Sequence, residues 1–130
     1  VELRTGQVIW TREYSSYRNV SIDGNRLFVV DNDSNLYAID RRSGVELWSN
    51  VGLRSRNITS ATPHGKYVVV GDMFGFVHWF SQDEGKLVAR LEVGNDDEDE
   101  AVFTGPISAD NVLYVQTREG KLAAITQPQE

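Results

Sequence analysis

The sequence contains no cysteine in its 130 residues. This absence excludes disulfide bonds, thiol catalysis and zinc sites that use cysteine, and it leaves the redox compartment open. Long apolar runs are also missing, since a run such as residues 67–70 is far shorter than the roughly 20 residues that cross a bilayer as a helix. No basic and apolar leader opens the chain, and its first residues resemble the middle of a repeat, so we expect that they continue a longer polypeptide.

Basic residues are scarce: 13 Lys and Arg stand against 19 Asp and Glu, which gives a formal net charge of −6 at pH 7. Nucleic acid and anionic lipid both require a basic surface, so neither is predicted as a partner. The acidic excess is concentrated in Asp96, Asp97, Glu98, Asp99 and Glu100. This run lacks the alternating ligands and central glycine of a calcium loop, so we predict a solvated loop, with a specific cation site or contact to a basic partner as alternatives.

What the sequence does contain is an internal repeat of about 40 residues. Gly44 and Gly85 are 41 residues apart, and Gly6 to Gly44 and Trp10 to Trp48 each span 38 residues. Apolar runs alternate with turns of Gly, Asn, Asp and Ser, which is typical of short strands joined by hairpins. The runs occur at 26–30, 36–40, 45–48, 66–70, 76–80, 86–91, 112–115 and 122–125, with a shorter one at 8–10. No segment of ten or more residues has helical periodicity, so we expect almost no helix.

Four short strands in each repeat unit predict an all-β fold made of the antiparallel blades of a β-propeller. With strands A to D lettered from the axis outward, the chain reads D-ABCD-ABCD-ABC, or about three blades. The predicted boundaries are an outer strand and linker in 1–16, blades in 17–53 and 54–94, and an incomplete blade in 95–130 with an acidic insertion at 95–100. Because a closed ring needs about four to eight blades, we expect a part of a ring, whose uncovered blade faces cause self-association.

One motif of turn and strand carries a family signal. The pattern A-x-D-x-x-[TS]-G-x-x-x-W and its partial copies supply Ala38, Asp40, Gly44, Trp48, Gly6, Trp10 and Gly85. This pattern resembles the repeat of quinoprotein-like β-propellers. In it the Asp can accept hydrogen bonds from the turn amides, the Gly takes a left-handed conformation, and the Trp packs between neighbouring blades.

The overall run of residues is more narrowly similar to the BamB family of outer-membrane assembly factors. The similar stretches are 58–63, 69–72, 75–79, 83–89 and 120–126, and the acidic run departs from the pattern. The resemblance implies the C-terminal part of an eight-bladed propeller at the periplasmic face of the outer membrane of a Gram-negative bacterium. It implies a lipid anchor on an N-terminal cysteine outside this chain. It further implies a non-catalytic scaffold without a cofactor, which binds BamA, other subunits of the β-barrel assembly machinery and unfolded outer-membrane proteins.

Two other classes of protein share the repeat. A pyrroloquinoline-quinone-dependent dehydrogenase would need a cofactor sandwich, a calcium site and an active-site aspartate, and the sequence has neither an adjacent cysteine pair nor a recognisable set of metal ligands. An adaptor or sensor propeller of a larger protein is the other alternative, and the residues by themselves do not separate it from the scaffold.

The candidates for catalysis have simpler interpretations. His64 is predicted in a surface turn and His78 in a strand, where it makes an ordinary hydrogen bond, and neither has a nucleophile at motif spacing. Gly71, Gly75 and Gly85 bracket strands, whereas the glycines of a phosphate-binding loop open a helix. We therefore predict no catalytic, cofactor-binding or metal-binding residue.

Contacts with partners are predicted in a loop between two blades, where Arg54 and Arg56 flank Ser55. Arginine is favoured at interfaces because its planar head offers several donors, and the alternative is solvated charge. The polar cluster at 31–35 is predicted to form a hairpin turn. The main aromatic residues are predicted to pack in the core rather than around a ligand: Trp10, Trp48, Trp79, Tyr37, Phe28 and Tyr67.

Overall fold

A computed structural model describes residues 6–16, 18, 20–93, 101–102 and 105–126 of the chain. It contains eleven strands and no helix within those ranges. The strands are β1 (Ser21–Asp23), β2 (Arg26–Val30), β3 (Leu36–Asp40), β4 (Glu46–Asn50), β5 (Thr62–His64), β6 (Tyr67–Gly71), β7 (Phe76–Ser81), β8 (Leu87–Glu92), β9 (Ile107–Ala109), β10 (Val112–Gln116) and β11 (Leu122–Thr126). A search of the described residues finds no helix of the length and apolarity that a membrane span requires.

The strands form three separate antiparallel sheets, each a meander of consecutive strands. The first sheet has the order β1-β2-β3-β4, the second β5-β6-β7-β8, and the third β11-β10-β9. The first two strands of each sheet are joined by a two-residue turn, as between Asp23 and Arg26, which pair across it. The prediction of an all-β propeller fragment, with blades of four, four and three strands in order along the chain, is confirmed.

The core lies between neighbouring sheets. One cluster joins the first sheet to the second through side chains such as Phe28, Leu36, Val68 and Phe80. A second cluster joins the second sheet to the third, and it includes Val69, Val77, Trp79, Leu113 and Val115. All five residues of β6 are buried, because the middle sheet is covered on both faces. This explains why β6 is a continuous apolar run, whereas β10 alternates buried and exposed residues.

The predicted outer strand at residues 8–10 is not formed. Val8 and Ile9 are 79% and 86% exposed, and residues 6–16 have no regular secondary structure. A strand needs a neighbouring edge to satisfy its backbone amides and carbonyls, and the described part of the chain places no such edge beside these residues. Gly6 lies in the same segment, exposed and without a positive φ angle.

Two tryptophans connect one repeat to the next. The indole of Trp48, on β4 of the first sheet, donates a hydrogen bond of 2.7 Å to the carbonyl of Gln82, in the turn between β7 and β8. Its ring covers Gly85, where a Cβ atom would lie 2.2 Å from Trp48 Cε3. Trp10 repeats this arrangement one unit earlier, with a bond of 2.8 Å to the carbonyl of Arg41 and its ring over Gly44. Each indole therefore packs against the turn of the following unit and donates a hydrogen bond to it.

The turn that receives Trp10 is organised by Asp40. The Asp40 carboxylate accepts hydrogen bonds from the amides of Arg42 and Ser43, at 2.9 and 3.0 Å. These bonds hold the pKa of the Asp40 carboxyl below its ordinary value. Gly44 follows with a φ angle of 75°, in the left-handed region that glycine occupies without strain. Ala38 precedes the turn on β3 and is fully buried in the first core cluster.

Candidate functional site

The hairpins between the second and third strands of the sheets lie beside the loops that lead into each sheet. One backbone bond repeats in all three units: Asn32 donates to Ser15, Met73 to Arg56, and Arg118 to Ala101, at 2.7, 3.0 and 2.8 Å. We call the surface formed by the three hairpins (31–35, 72–75 and 117–120) and these loops the loop face. Loops held by a rigid scaffold are where binding residues are usually found.

The hairpin at 31–35 is organised by the carboxylate of Asp31. Asp31 Oδ1 accepts hydrogen bonds of 2.9 Å from the amides of Asp33 and Asn35. Asp31 Oδ2 accepts from the Tyr37 hydroxyl at 2.8 Å and from the Asn35 side-chain amide at 3.1 Å. This confirms the prediction that the polar cluster forms a turn.

The same bonds shift two pKa values in the turn. Burial by itself would raise the pKa of Asp31, but the hydrogen bonds from Asn35, Tyr37 and Asp33 outweigh it and hold that pKa below its ordinary value. Burial and the neighbouring Asp31 carboxylate raise the pKa of Tyr37 to about 12. Asp31 is therefore ionised and Tyr37 neutral near pH 7, which is the state that their mutual hydrogen bond requires.

The second hairpin has the same plan, with charged partners. Asp72 Oδ1 accepts from the amides of Phe74 and Phe76, at 2.9 and 3.0 Å. Asp72 Oδ2 accepts from His78 Nε2 at 2.7 Å and from the guanidinium of Arg56 at 2.9 Å. The side chains of Asp72 and His78 are both 0% exposed. Burial favours a higher pKa for Asp72, but the bonds from His78, Phe76 and Arg56 together hold that pKa below its ordinary value.

His78 has no free ring nitrogen for catalysis. Its Nδ1 receives a hydrogen bond of 3.0 Å from Arg90 Nε, which can only donate. The ring proton is therefore on Nε2 and is donated to Asp72. A catalytic dyad needs one nitrogen facing a nucleophile, whereas here the second nitrogen faces a guanidinium. The arrangement is a neutral, buried link between Asp72 and Arg90, in keeping with the predicted ordinary hydrogen bond.

The prediction that His64 lies in a surface turn is wrong. His64 is the last residue of β5 and is 2% exposed. Its Nδ1 lies 2.5 Å from the Ser108 hydroxyl of β9, and its ring meets Trp79 edge-on with centroids 5.6 Å apart. Among the described residues its Nε2 has no hydrogen-bond partner, so no carboxylate orients the ring as a catalytic base would require. The turn begins at Gly65, and the His64 side chain lies between the second and third sheets.

The two arginines of the inter-sheet loop have different surroundings. The guanidinium of Arg56 forms an ion pair with the buried Asp72 carboxylate, and 29% of the Arg56 side chain is exposed. Arg54 is exposed and forms no ion pair with any described residue. It lines a polar cleft of about 420 Å³, together with Asn32, Asp33, Ser34, Ser55 and Asn57. Arg56 is thus held by a contact within the fold, whereas Arg54 is exposed at the edge of the cleft.

Two further expectations concern the acidic run and metal ions. Asp96, Asp97, Glu98, Asp99 and Glu100 lie outside the described residues. In the part of the chain that is described, no group of three or more His, Asp or Glu side chains is placed to hold a metal ion. The Asp72 carboxylate is already satisfied, because it accepts hydrogen bonds from Arg56, from His78 and from the amides of Phe74 and Phe76.

Comparison with known proteins relates this architecture to one family. A family model described as outer membrane protein assembly factor BamB matches residues 1–50. The outer membrane protein assembly factor BamB of Alteromonas naphthalenivorans is 59% identical over 126 residues, which is 97% of this chain and 30% of that protein. The chain therefore spans about 30% of the length of this curated relative.

Solved structures agree with the sequence comparison. The crystal structure of BamB from Moraxella catarrhalis has a TM-score of 0.82 and 26% identity, over 94% of this chain and 35% of that one. A quinohemoprotein alcohol dehydrogenase from Pseudomonas putida has a TM-score of 0.70 but 13% identity, over 88% of this chain and 20% of the enzyme. The likeness to the enzyme shows the fold alone, and the dehydrogenase alternative is the weaker one. The chain belongs to the BamB family of outer membrane protein assembly factors and corresponds to about three-tenths of a family member.

Proposed function

We propose that this chain is part of a non-catalytic scaffold subunit that assists the folding and insertion of outer-membrane proteins by binding BamA, other assembly-machinery subunits and unfolded substrates. The observation that carries the proposal is the 59% identity to a BamB protein over 97% of the chain. The polar groups support a scaffold as well, since both ring nitrogens of His78 are used within the fold. The parent protein would act at the periplasmic face of the outer membrane, held by a lipid anchor outside this chain.

The same proposal assigns the units of the chain. The blades at 17–53 and 54–94 correspond to the two four-stranded sheets, and the unit at 95–130 contains the three-stranded sheet. An eight-bladed parent is supported by the share of the solved BamB structure that the chain covers, which is 35% and thus close to three-eighths.

The proposed function is tested by affinity purification of the tagged full-length parent from detergent-solubilised cell envelopes. We expect BamA to co-purify, and we expect deletion of the parent gene to lower the amounts of outer-membrane β-barrel proteins. An unrelated tagged periplasmic lipoprotein serves as the control. The proposal fails if BamA is absent and the purified parent instead reduces an electron-accepting dye when it is given quinone cofactor and calcium.

We also predict that the isolated chain self-associates. Ile107, Tyr114 and Leu122, which lie on the three strands of the third sheet, are 66%, 38% and 70% exposed. Ile107 and Tyr114 are paired across β9 and β10, so they share one face. The outer edge of β11 has no fourth strand among the described residues. An apolar face next to an open strand edge favours pairing with another copy.

Light scattering coupled to size exclusion measures this self-association. We expect a mass that exceeds the 14.6 kDa of the monomer and rises with concentration. The double variant Tyr114→Lys/Leu122→Lys places charges on the face and is expected to shift the distribution towards the monomer. A monodisperse monomer at high concentration would show that the exposed face does not drive association.

A further inference from the structure

The hairpin aspartates of the first two sheets are bonded to different residue types at the same structural position. Tyr37 lies six residues after Asp31, and His78 lies six residues after Asp72. Each donates a hydrogen bond to its aspartate, at 2.8 Å from the Tyr37 hydroxyl and at 2.7 Å from His78 Nε2. The two sheets therefore share one arrangement, in which an imidazole in the second sheet takes the place of a phenol in the first.

The neighbour of this residue on the outer strand differs as well. Tyr37 pairs with Ser49 of β4, whereas His78 pairs with Arg90 of β8. Arg90 Nε donates a hydrogen bond of 3.0 Å to His78 Nδ1. Because a guanidinium nitrogen can only donate, this bond exists only while Nδ1 carries no proton. The second sheet thus contains a contact that depends on the protonation state of one buried ring.

The charged groups that meet at His78 come from three elements. The hairpin contributes Asp72, the loop before β5 contributes Arg56 on the same carboxylate, and β8 contributes Arg90. The neighbour on β6 is the uncharged Val70. The hydrogen bonds to Asp72 hold its pKa below its ordinary value, so this carboxylate stays ionised near neutral pH, and arginine stays protonated. Histidine is the residue type among these that changes charge between pH 5 and pH 8.

Protonation of His78 removes the acceptor of the Arg90 bond. The second proton would be on Nδ1, where it faces the guanidinium, so a hydrogen bond is replaced by the approach of two positive charges. On the other side of the ring the bond to Asp72 strengthens, because a cation then donates to a carboxylate. Arg90 is exposed and lies on the outer strand of its sheet, so its side chain can turn into solvent.

We propose that His78 and Arg90 form a pH-sensitive switch in the second sheet, in which protonation of the imidazole releases the Arg90 side chain into solvent. At higher pH the guanidinium is held against the ring, and at lower pH it is a free positive charge on β8. The equivalent pair of the first sheet, Tyr37 and Ser49, does not titrate in this range, because burial and Asp31 raise the pKa of Tyr37 to about 12. The switch is therefore a property of the second sheet and not of the repeat.

Nuclear magnetic resonance of the full-length parent, labelled with nitrogen-15 in histidine and arginine, tests the switch. At pH 8 we expect a coupling across the hydrogen bond between Arg90 Nε and His78 Nδ1, which identifies the two signals without any variant. As the pH falls to 5, the range in which histidine changes charge, the ring should become doubly protonated. The Arg90 Nε–H signal should then lose its protection from exchange with solvent, with the same midpoint.

A variant of Arg90 tests the coupling in the reverse direction. If protonation releases Arg90, then removal of Arg90 must make protonation easier. In Arg90→Ser, which copies the residue of the first sheet, we expect the midpoint of the His78 titration to rise by about one pH unit, a tenfold gain in proton affinity. Lys86→Ser is the matched control, because it also removes a positive charge beside β8, but Lys86 pairs with Glu84 at 2.9 Å and not with a histidine. It should leave the midpoint unchanged.

The double variant His78→Tyr/Arg90→Ser copies both residues of the first sheet. In it the backbone amide signals of 72–75 should no longer move between pH 8 and pH 5. The switch is excluded if the native parent shows no coupling between an arginine and a histidine at pH 8, or if His78 stays singly protonated at pH 5. It is also excluded if the Arg90 Nε–H signal persists after the ring is doubly protonated, or if Arg90→Ser moves the midpoint no more than Lys86→Ser. The measurements on the native parent decide the proposal even where a variant fails to fold.

Discussion

Replacement of Asp72 by alanine is expected to lower the free energy of unfolding by about 3 kcal/mol, because it removes a fully buried carboxylate and leaves the hydrogen-bond donors around it unsatisfied. Removal of the carboxylate leaves the Arg56 guanidinium and the His78 Nε2 proton without their acceptor. It also removes the acceptor of the Phe74 and Phe76 amides. Urea denaturation at a fixed protein concentration measures the change, since self-association makes stability depend on concentration.

Asp31→Ala is the matched control, since Asp31 occupies the same place one unit earlier. Its carboxylate is bonded to neutral groups, namely the Tyr37 hydroxyl and the amides of Asp33 and Asn35. We expect a smaller loss, about 1–2 kcal/mol, because no charged side chain loses its counter-ion. Equal losses in the two variants would show that the amide bonds, rather than the charge pair, carry the stability at Asp72.

The low pKa of Asp72 also predicts how this contribution depends on pH. The pKa of Asp72 is lower in the folded chain than its ordinary value of 3.8, since the hydrogen bonds outweigh the effect of burial. The unfolded state therefore takes up a proton first as the pH falls, and the stabilisation is present above the ordinary value and lost below it. We expect the difference in unfolding free energy between the native chain and Asp72→Asn to shrink below about pH 4. A difference that stays constant down to pH 2 would contradict this account.

Gly85→Ala is the second change with a large expected effect. A Cβ atom at this position would lie 2.2 Å from Trp48 Cε3 and 2.5 Å from Trp48 Cδ2, far inside van der Waals contact. The residue also has a φ angle of 71°, which strains any residue with a side chain. Gly24→Ala is the matched control, because Gly24 has a φ angle of 59° but no atom within 4 Å of its Cβ position.

The two glycine variants separate strain from steric exclusion. For Gly24→Ala we expect a loss of about 1–2 kcal/mol from the left-handed backbone alone. For Gly85→Ala we expect about 2 kcal/mol more, since the indole must leave its place between the two sheets. In a Trp48→Ala background the cost of Gly85→Ala should fall to that of Gly24→Ala. If Gly85→Ala costs the same with and without Trp48, the indole is not what excludes a side chain at position 85.

Local signals in the sequence account for the strands and their order. The hairpin turns at Gly24 and Gly65 each contain a residue with a positive φ angle, a conformation that glycine adopts without strain. A glycine between two short apolar runs therefore marks a turn in the sequence. The sequence therefore predicts eight of the eleven observed strands close to their bounds, because strand and turn signals act over short distances. It gives no bounds for the three-residue strands β1, β5 and β9, whose apolar runs are too short to stand out. It does not predict that residues 8–10 remain unpaired, because pairing depends on an edge contributed by another part of a propeller.

The contacts of the loop face could not be predicted in the same way. In the sequence, Arg56, Asp72 and His78 are an arginine in a loop, an aspartate at a turn and a histidine in a strand. The backbone bond between Met73 and Arg56 brings them together. The signal that could have identified the site is the alignment of the repeats, in which Asn32-Asp33 corresponds to Met73-Phe74. The alignment shows that the tips of the two hairpins differ, but it does not show which loop lies beside each tip.

The sequence by itself determined the fold class, the repeat and the family, because these depend on spacing, turn residues and the order of apolar runs. Only the tertiary structure decided which polar groups are buried and which charges remain free. Arg54 and Arg56 are two positions apart, yet one is exposed and the other lies on the buried Asp72. The physical reason is that burial and hydrogen bonding depend on segments far apart in the chain, and packing of the sheets alone sets their distances.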